Sequence, residues 1–304
     1  MHEVKVNKFK FIPTTCMLCG SDNHRDHYVI DKYEQGKLYF VRCNHCGTRY
    51  QNPMPDQPSM AEFYHSQSFF SAKASSGPLT GYQDYDAQEN IRHINARKRL
   101  AEIEGLFPAK KKLRILKVAC GYGTLVKLAR NCGHEAEGID FSDVMVKGAK
   151  QRYDIDLIHA DFLEYDFGDR TYDAVLLYGA INNFLRPLDV AQKALTLLNP
   201  GGFYVVNHVW PDSLPEMLLG RRYWIYRPPI IGLYPERAFN QYHEQIGFEL
   251  HKTKYDVQHL TLERLFGYLQ ARPLIRFIKL SGLSRLGMTI PIPGYARVFL
   301  KNPA

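Results

Sequence analysis

The stretch that most restricts how this chain can fold is Ile115-Leu-Lys-Val-Ala-Cys-Gly-Tyr-Gly-Thr-Leu-Val-Lys-Leu-Ala-Arg130. It opens with an aliphatic run, turns through Gly121 and Gly123, and then takes helical spacing at Leu125, Leu128 and Ala129. Strand, tight glycine turn and helix in that order form the opening unit of a nucleotide-binding α/β sheet. Glycine suits the turn because backbone there must come close to a ligand, and a Cβ would stand in the way.

Later segments repeat the alternation. Glu135-Ala-Glu-Gly-Ile-Asp140 reads as a second strand, Asp156–Phe162 as a third and Tyr172-Asp-Ala-Val-Leu-Leu-Tyr178 as a fourth, apolar enough to be buried on both faces. Pro187 opens a helix to Leu198, Asn199-Pro-Gly-Gly202 breaks it, and Phe203–Val209 is a fifth strand. Strands alternating with helices predict an α/β fold with a doubly wound, mostly parallel, Rossmann-like sheet. Asp140, about 20 residues past the glycine turn, stands where such folds keep a ribose-hydroxyl acceptor. A dinucleotide-binding unit is the competing reading, and the missing third glycine of Gly-x-Gly-x-x-Gly argues against it.

The six cysteines divide into four and two. Cys16-Met-Leu-Cys19-Gly and Cys43-Asn-His-Cys46-Gly are two knuckles whose thiolates can meet on one tetrahedral ion. The N-terminus Met-His-Glu-Val-Lys-Val lacks the apolar core of a secretory signal, which makes disulfides the weaker explanation and the cytoplasm the expected compartment. Four thiolates leave no open coordination position, so Cys16, Cys19, Cys43 and Cys46 are expected to hold one structural zinc ion. Cys120 and Cys132 read as packed small side chains.

Residues 1–55 thus read as a zinc ribbon, with a hairpin over 28–43 and a proline-dense exit at Asn52–Pro58. Residues 56–110 connect it to the sheet through a short helix over 59–65, an aromatic loop over 68–85 and an amphipathic helix over 88–107. Residues 111–304 hold the sheet and a C-terminal covering segment. That segment has predicted helices over 258–270 and 272–286 and a last strand over 295–300. The net charge of +8 is concentrated there: residues 251–304 carry nine Lys or Arg against two acidic residues. Such a basic, apolar-rich segment can meet phosphate groups or a membrane surface, although a solvated charged face is the commoner case.

The ordered motifs of glycine turn, Gly-Ile-Asp140, Ala-Asp161-Phe162, Tyr172-Asp-Ala-Val and Leu-Asn-Pro-Gly-Gly202 resemble those of class I S-adenosylmethionine-dependent methyltransferases. With the ribbon, Tyr50-Gln-Asn-Pro-Met-Pro55, Gly81-Tyr-Gln-Asp-Tyr85 and Leu218–Pro229 added, the chain is similar to bacterial zinc-ribbon methyltransferases related to the sugar C-methyltransferases. The resemblance implies S-adenosylmethionine as cofactor and a small-molecule or glycan-type acceptor. It implies that Ala119, Gly121 and Gly123 line the methionine portion, that Asp140 holds the ribose hydroxyls, and that Phe141, Asp161 and Phe162 meet the adenine. Tyr178, ending the fourth strand, completes the cofactor-facing set, and Tyr82 and Tyr85 would fold over it.

The chain departs from that pattern near the expected reaction centre. Lys117 stands where the family has an acid, Ala119 where it has glycine, and Asn182-Asn183 where it often has Glu-His. A lysine facing the cationic end of the cofactor reverses the sign of that interaction. An amide orients a substrate but takes no proton, which leaves Asn183 an orienting role. His208, near the end of the fifth strand, is then the best base candidate, with a hydrogen-bonded structural histidine as its competing reading. His243 is a weaker candidate. Two further functions stay open: a cofactor-binding scaffold without turnover, and an RNA methyltransferase. Residues 1–50 carry eight Lys or Arg against five acidic residues, a thin charge for a nucleic-acid ribbon.

Overall fold

A computed structural model describes residues 9–31, 33, 36–65, 89–109, 111–268, 272–283 and 286–303. The aromatic loop with Tyr82 and Tyr85 lies outside the described residues.

The chain begins with β1 (Phe11–Ile12), β2 (His24–Ile30), β3 (Leu38–Cys43), β4 (Arg49–Gln51) and β5 (Met54–Pro55), then α1 (Gln57–His65) and α2 (Glu89–Glu104). The α/β part runs β6 (Arg114–Val118), α3 (Thr124–Asn131), β7 (Glu135–Asp140), α4 (Asp143–Tyr153), β8 (Ile158–His159), β9 (Tyr172–Leu177), α5 (Pro187–Thr196) and β10 (Leu198–Val209). It continues with α6 (Leu214–Leu219), β11 (Gly232–Leu233), α7 (Glu236–Ile246), β12 (Glu249–Thr261), α8 (Leu262–Tyr268), α9 (Arg272–Leu280) and β13 (Gly287–Lys301).

Seven strands form the main sheet in the order β12-β13-β10-β9-β6-β7-β8. The five from β8 to β10 are mutually parallel, and β13 lies antiparallel to both β10 and β12. This is the predicted doubly wound, mostly parallel architecture. The chain winds outward from β6 to β8 and then returns to the other side of β6 as β9. The gap between the carboxyl ends of β6 and β9 is therefore the topological switch point, where open α/β sheets bind ligands.

Strand residues alternate between two cores, as a sheet covered on both faces requires. Ile115, Ala174, Leu176, Phe203, Val205 and Phe299 pack under α2, α3 and α4. Leu116, Val118, Val175, Leu177, Tyr204 and Val206 pack under α5 and α7 on the opposite face. That second core also contains Cys16, Leu18, Val41, Cys43 and Tyr50, so the cysteine-bearing segment is built into it. β11 reinforces the join by pairing antiparallel with β4, Gly232 opposite Tyr50, and so completes the four-stranded sheet β11-β4-β3-β2.

Several element boundaries differ from the sequence expectation. α5 ends at Thr196, and β10 already begins at Leu198, taking in Asn199–Gly202 as strand where the sequence predicts a break; α9 ends at Leu280, short of residue 286. β12 continues as strand to Thr261, and the predicted helix begins only at Leu262, because Val257–Thr261 are held by Pro291–Gly287 across the ladder. β13 runs back to Gly287 through Pro291 and Pro293 instead of starting after them. The proline-dense exit contains the two-residue β5, a short edge strand paired with β1.

Candidate functional site

Three strand ends meet at the switch point. β6 ends in Val118 and enters a turn in which Ala119, Gly121 and Gly123 all have positive φ, at 50°, 57° and 72°. For Ala119 that conformation costs on the order of 1 kcal/mol, which a glycine would avoid. The turn is held from the neighbouring strand. Gly121 N–H donates to Asp140 Oδ2 at 2.7 Å, and Ser142 N–H donates to Oδ1 at 2.9 Å. A carboxylate has about four acceptor positions. Asp140 thus braces the turn and still has lone pairs for a ligand. Burial raises its pKa, against those two backbone hydrogen bonds and the charge of Lys117.

Lys117 answers the question its sequence position poses. The side chain is only 6% exposed, and its Nζ donates to the carbonyls of Val118 at 2.6 Å and Ala119 at 3.1 Å. Among the described residues it forms no ion pair with a carboxylate; it caps the end of its own strand. Burial pulls its pKa down to about 8. An ammonium has three donors, and these two hydrogen bonds use two of them.

Tyr178, the residue after β9, lies against this lysine. Its ring centroid is 4.5 Å from the guanidinium of Arg99, 5.5 Å from that of Arg297 and 5.6 Å from Lys117 Nζ. The ring is buried, and its hydroxyl makes no hydrogen bond among the described residues. Glu102 and Asp256 offset part of this charge through ion pairs to Arg297. Asn207 accepts from Gly179 N–H and donates to Asp256 at 2.9 Å, fixing the backbone that follows Tyr178. Arg99, Asn207, Asp256 and Arg297 were not singled out in the sequence. The signal available was Asn207 itself, a polar residue beside His208 in a largely apolar strand; the others come from α2, β12 and β13, whose convergence no local pattern gives.

The remaining expected residues divide. Phe141 follows Asp140 and is partly exposed at the same rim, where its carbonyl accepts from His159 at 3.2 Å. Asp161 accepts from Leu163 N–H at 2.8 Å and is also partly exposed. The Phe162 side chain points the other way, into the core against Phe167 at 5.9 Å between ring centroids, so any contact with adenine falls to its backbone. Asn183 is partly exposed and its amide makes no hydrogen bond among the described residues. Asn182 is structural: it accepts from Val209 N–H at 2.8 Å and donates to the Gly232 carbonyl at 2.7 Å, tying β10 to β11.

His208 is corrected. Strand alternation turns it away from Asn207, onto the opposite face, where it has no exposed surface and its ring stacks on Phe239 at 4.1 Å. Burial, then the neighbouring His243, lowers its pKa to about 3, so it is a neutral core residue and does not face the switch point. His243 is likewise fully buried, its Nδ1 hydrogen-bonded to the Phe239 carbonyl at 2.7 Å.

The four cysteines converge as their spacing predicts. All four Sγ atoms lie within 4.8 Å of one another, with Cys16 to Cys46 and Cys19 to Cys43 at 3.5 Å. A zinc–sulfur bond of about 2.3 Å puts tetrahedral sulfurs about 3.8 Å apart, so the set fits the ion. Gly20 and Gly47 close the two knuckles with φ of 71° and 77°, donating to the carbonyls of Cys16 and Cys43.

Comparison with known proteins gives a consistent class. A family model described as a methyltransferase domain matches residues 87–253, more than half of the chain. The chain is 28% identical over 173 residues to the demethylmenaquinone methyltransferase of Bacillus licheniformis, covering 53% of this chain and 73% of that protein. It is 32% identical over 127 residues to the demethylmenaquinone methyltransferase of Renibacterium salmoninarum, covering 40% of this chain and 52% of the relative, about half its length. Among solved structures, it is similar to a candidate methyltransferase from Bacillus halodurans C-125, with a TM-score of 0.51 at 15% identity over 68% of this chain and 100% of that one. It is also similar to a chain in the complex of the Haloferax volcanii Trm112 methyltransferase activator with its methyltransferase partner, with a TM-score of 0.51 at 16% identity over 72% and 95%. At these identities the structural likeness shows the fold.

Proposed function

This chain belongs to the methyltransferase-domain family, and we propose that it transfers the methyl group of S-adenosylmethionine to a small-molecule or glycan-type acceptor, with one structural zinc ion on Cys16, Cys19, Cys43 and Cys46. The observation that carries the reading is the braced glycine turn at the switch point, with Asp140 holding Gly121 and keeping acceptor capacity for a ribose diol. The cofactor supplies the electrophilic methyl group as a sulfonium. What the chain supplies is position: backbone of Ala119, Gly121 and Gly123 along the amino-acid portion, Asp140 on the ribose, and Phe141 with Asp161 at the adenine. The relatives named as demethylmenaquinone methyltransferases favour a small aromatic acceptor over a macromolecule.

Lys117 gives this site an inverted electrostatic pattern. Its ammonium occupies the Val118 and Ala119 carbonyls, so the ammonium of an amino acid is not needed there as a donor. With Arg99 and Arg297 close behind Tyr178, the third N–H of Lys117 favours the carboxylate of the methionine portion. The same occupation of the Ala119 carbonyl, with His208 withdrawn into the core, favours a second reading: a protein that binds the cofactor without turnover.

Calorimetry with S-adenosylmethionine, followed by methyl-transfer assays on phenols, quinols and nucleotide sugars, separates these. Binding with transfer to one acceptor class supports the enzyme, and binding without transfer across the panel supports the scaffold. Absence of binding rejects both, as does unchanged affinity in a folded Asp140→Ala protein.

A further inference from the structure

β12 and β13 do not stop where the parallel sheet stops. Tyr295 pairs with Val209, the last residue of β10, and beyond that point the hairpin continues alone, from Val257 opposite Pro291 to Thr261 opposite Gly287. It therefore overhangs the carboxyl end of the sheet, the end that carries the candidate site. Its far end carries α8 and α9. The stem is fastened to α2: His259 N–H donates to Asn95 at 2.7 Å, Asn95 donates back to the His259 carbonyl at 3.1 Å, and Lys98 donates to Thr289 at 2.7 Å.

Among the described residues of α9 and the chain just after it, several apolar side chains face outward. Ile278 is buried, whereas Phe277 is 62% and Leu280 89% exposed, with Leu274, Leu283, Leu286 and Met288 exposed beside them. Side chains of that size are seldom left to water in a cluster unless something covers them. The sequence of α9, Arg-Pro-Leu-Ile-Arg-Phe-Ile-Lys-Leu, places Arg272, Arg276 and Lys279 at i, i+4 and i+7, one helix face, and every other position is apolar. Across residues 262–288 there are five Lys or Arg and one acidic residue. No helix among the described residues is long and apolar enough to cross a membrane.

We infer that this hairpin tip docks on a bilayer surface bearing anionic headgroups, α9 lying in the interface with Leu274, Phe277 and Leu280 in the acyl boundary and its basic face among the phosphates. The charge chooses the occupant. A protein partner would need an acidic groove matching a nine-residue helix, whereas an anionic membrane offers apolar depth and negative charge together and asks only for an amphipathic face. Weak insertion of a few side chains and weak attraction of a few cations each bind marginally, but act together on one hairpin. The orientation follows from the stem: the tip meets the surface while the switch point faces it. The inference does not depend on which acceptor is methylated, and it holds equally for the scaffold.

The 304-residue chain tested by flotation with phosphatidylglycerol-containing vesicles should bind, and should bind vesicles of phosphatidylcholine alone at least about tenfold more weakly. Phe277→Glu with Leu280→Glu should reduce binding to the anionic vesicles about tenfold or more while leaving the melting temperature and cofactor affinity in place. Val29→Glu, an exposed apolar-to-acidic change on β2, should leave vesicle binding unchanged. No binding to anionic vesicles, or equal binding by the double variant, overturns the inference. Concentration-dependent dimerisation lost in the double variant, in a protein that ignores vesicles, overturns it in favour of a second copy on this face.

Discussion

A buried ammonium must find oxygen, and Lys117 finds it in the strand that carries it. The lysine's long stem lets Nζ curl to the carbonyls of Val118 and Ala119, and burial among Arg99 and Tyr178 lowers its pKa to about 8. At neutral pH it remains mostly charged. Lys117→Met should therefore weaken binding of S-adenosylhomocysteine, which carries the amino-acid carboxylate, by roughly tenfold, the worth of one charged hydrogen bond. Binding of 5′-methylthioadenosine, which lacks that carboxylate, should be unchanged. Calorimetry on both ligands checks this, and equal weakening of the two would mean the lysine acts by holding the turn.

At the scale of elements, the helix after β7 contains a glycine whose reason is out of sight in the sequence. Gly148 lies in the middle of α4, where glycine ordinarily costs about 1 kcal/mol relative to alanine. A Cβ there would lie 2.3 Å from Cε1 of Tyr122, the residue between the two turn glycines. Gly148 thus makes room for the ring that seats the turn on α4. Gly148→Ala should destabilise the protein by about 1–3 kcal/mol and loosen cofactor binding, read by thermal melting and calorimetry. A more stable alanine variant would show that the ring moves freely. The contrast defines what the sequence carried. The glycine turn, Asp140, the strands that alternate with helices and the cysteine knuckles were legible because each is a local pattern with a local cause. Gly148 under Tyr122, Asn182 bridging β10 to β11, and Arg99 and Arg297 behind Tyr178 were not, because their partners are set by packing between distant segments. His208 was misread for a related reason: its position along β10 was right, but only the register of the sheet fixes which face it takes.

At the scale of the molecule, the segment bearing the cysteines is not an appendage. Arg49 of β4 pairs with Asp212 at 2.6 Å and with Glu216 of α6 at 3.1 Å, and Tyr226 donates to Glu216 at 2.7 Å. Burial pushes the Glu216 pKa up, but His27, Tyr226 and Arg49 outweigh it and hold the group at about 2. A depressed carboxylate contributes stability that is present above its unfolded value and lost as pH falls towards the folded one. The join should therefore weaken between about pH 4.5 and pH 2, seen as a falling melting temperature that Glu216→Gln makes shallower. The metal makes the stronger test. Cys16 and Cys43 lie in one core with Val118, Val175 and Val206 of the main sheet, and β11 ties β4 to the segment after α6. Zinc binding contributes about 10 kcal/mol or more to small folds, comparable with the entire stability of an ordinary domain. If the cluster holds zinc, Cys43→Ser or chelation should lower one transition of the whole molecule in calorimetry, because the cysteine knuckles share one core with the sheet. An early transition of its own, with the main one unmoved, would show that the cysteine-bearing segment unfolds alone and that the shared core carries no coupling.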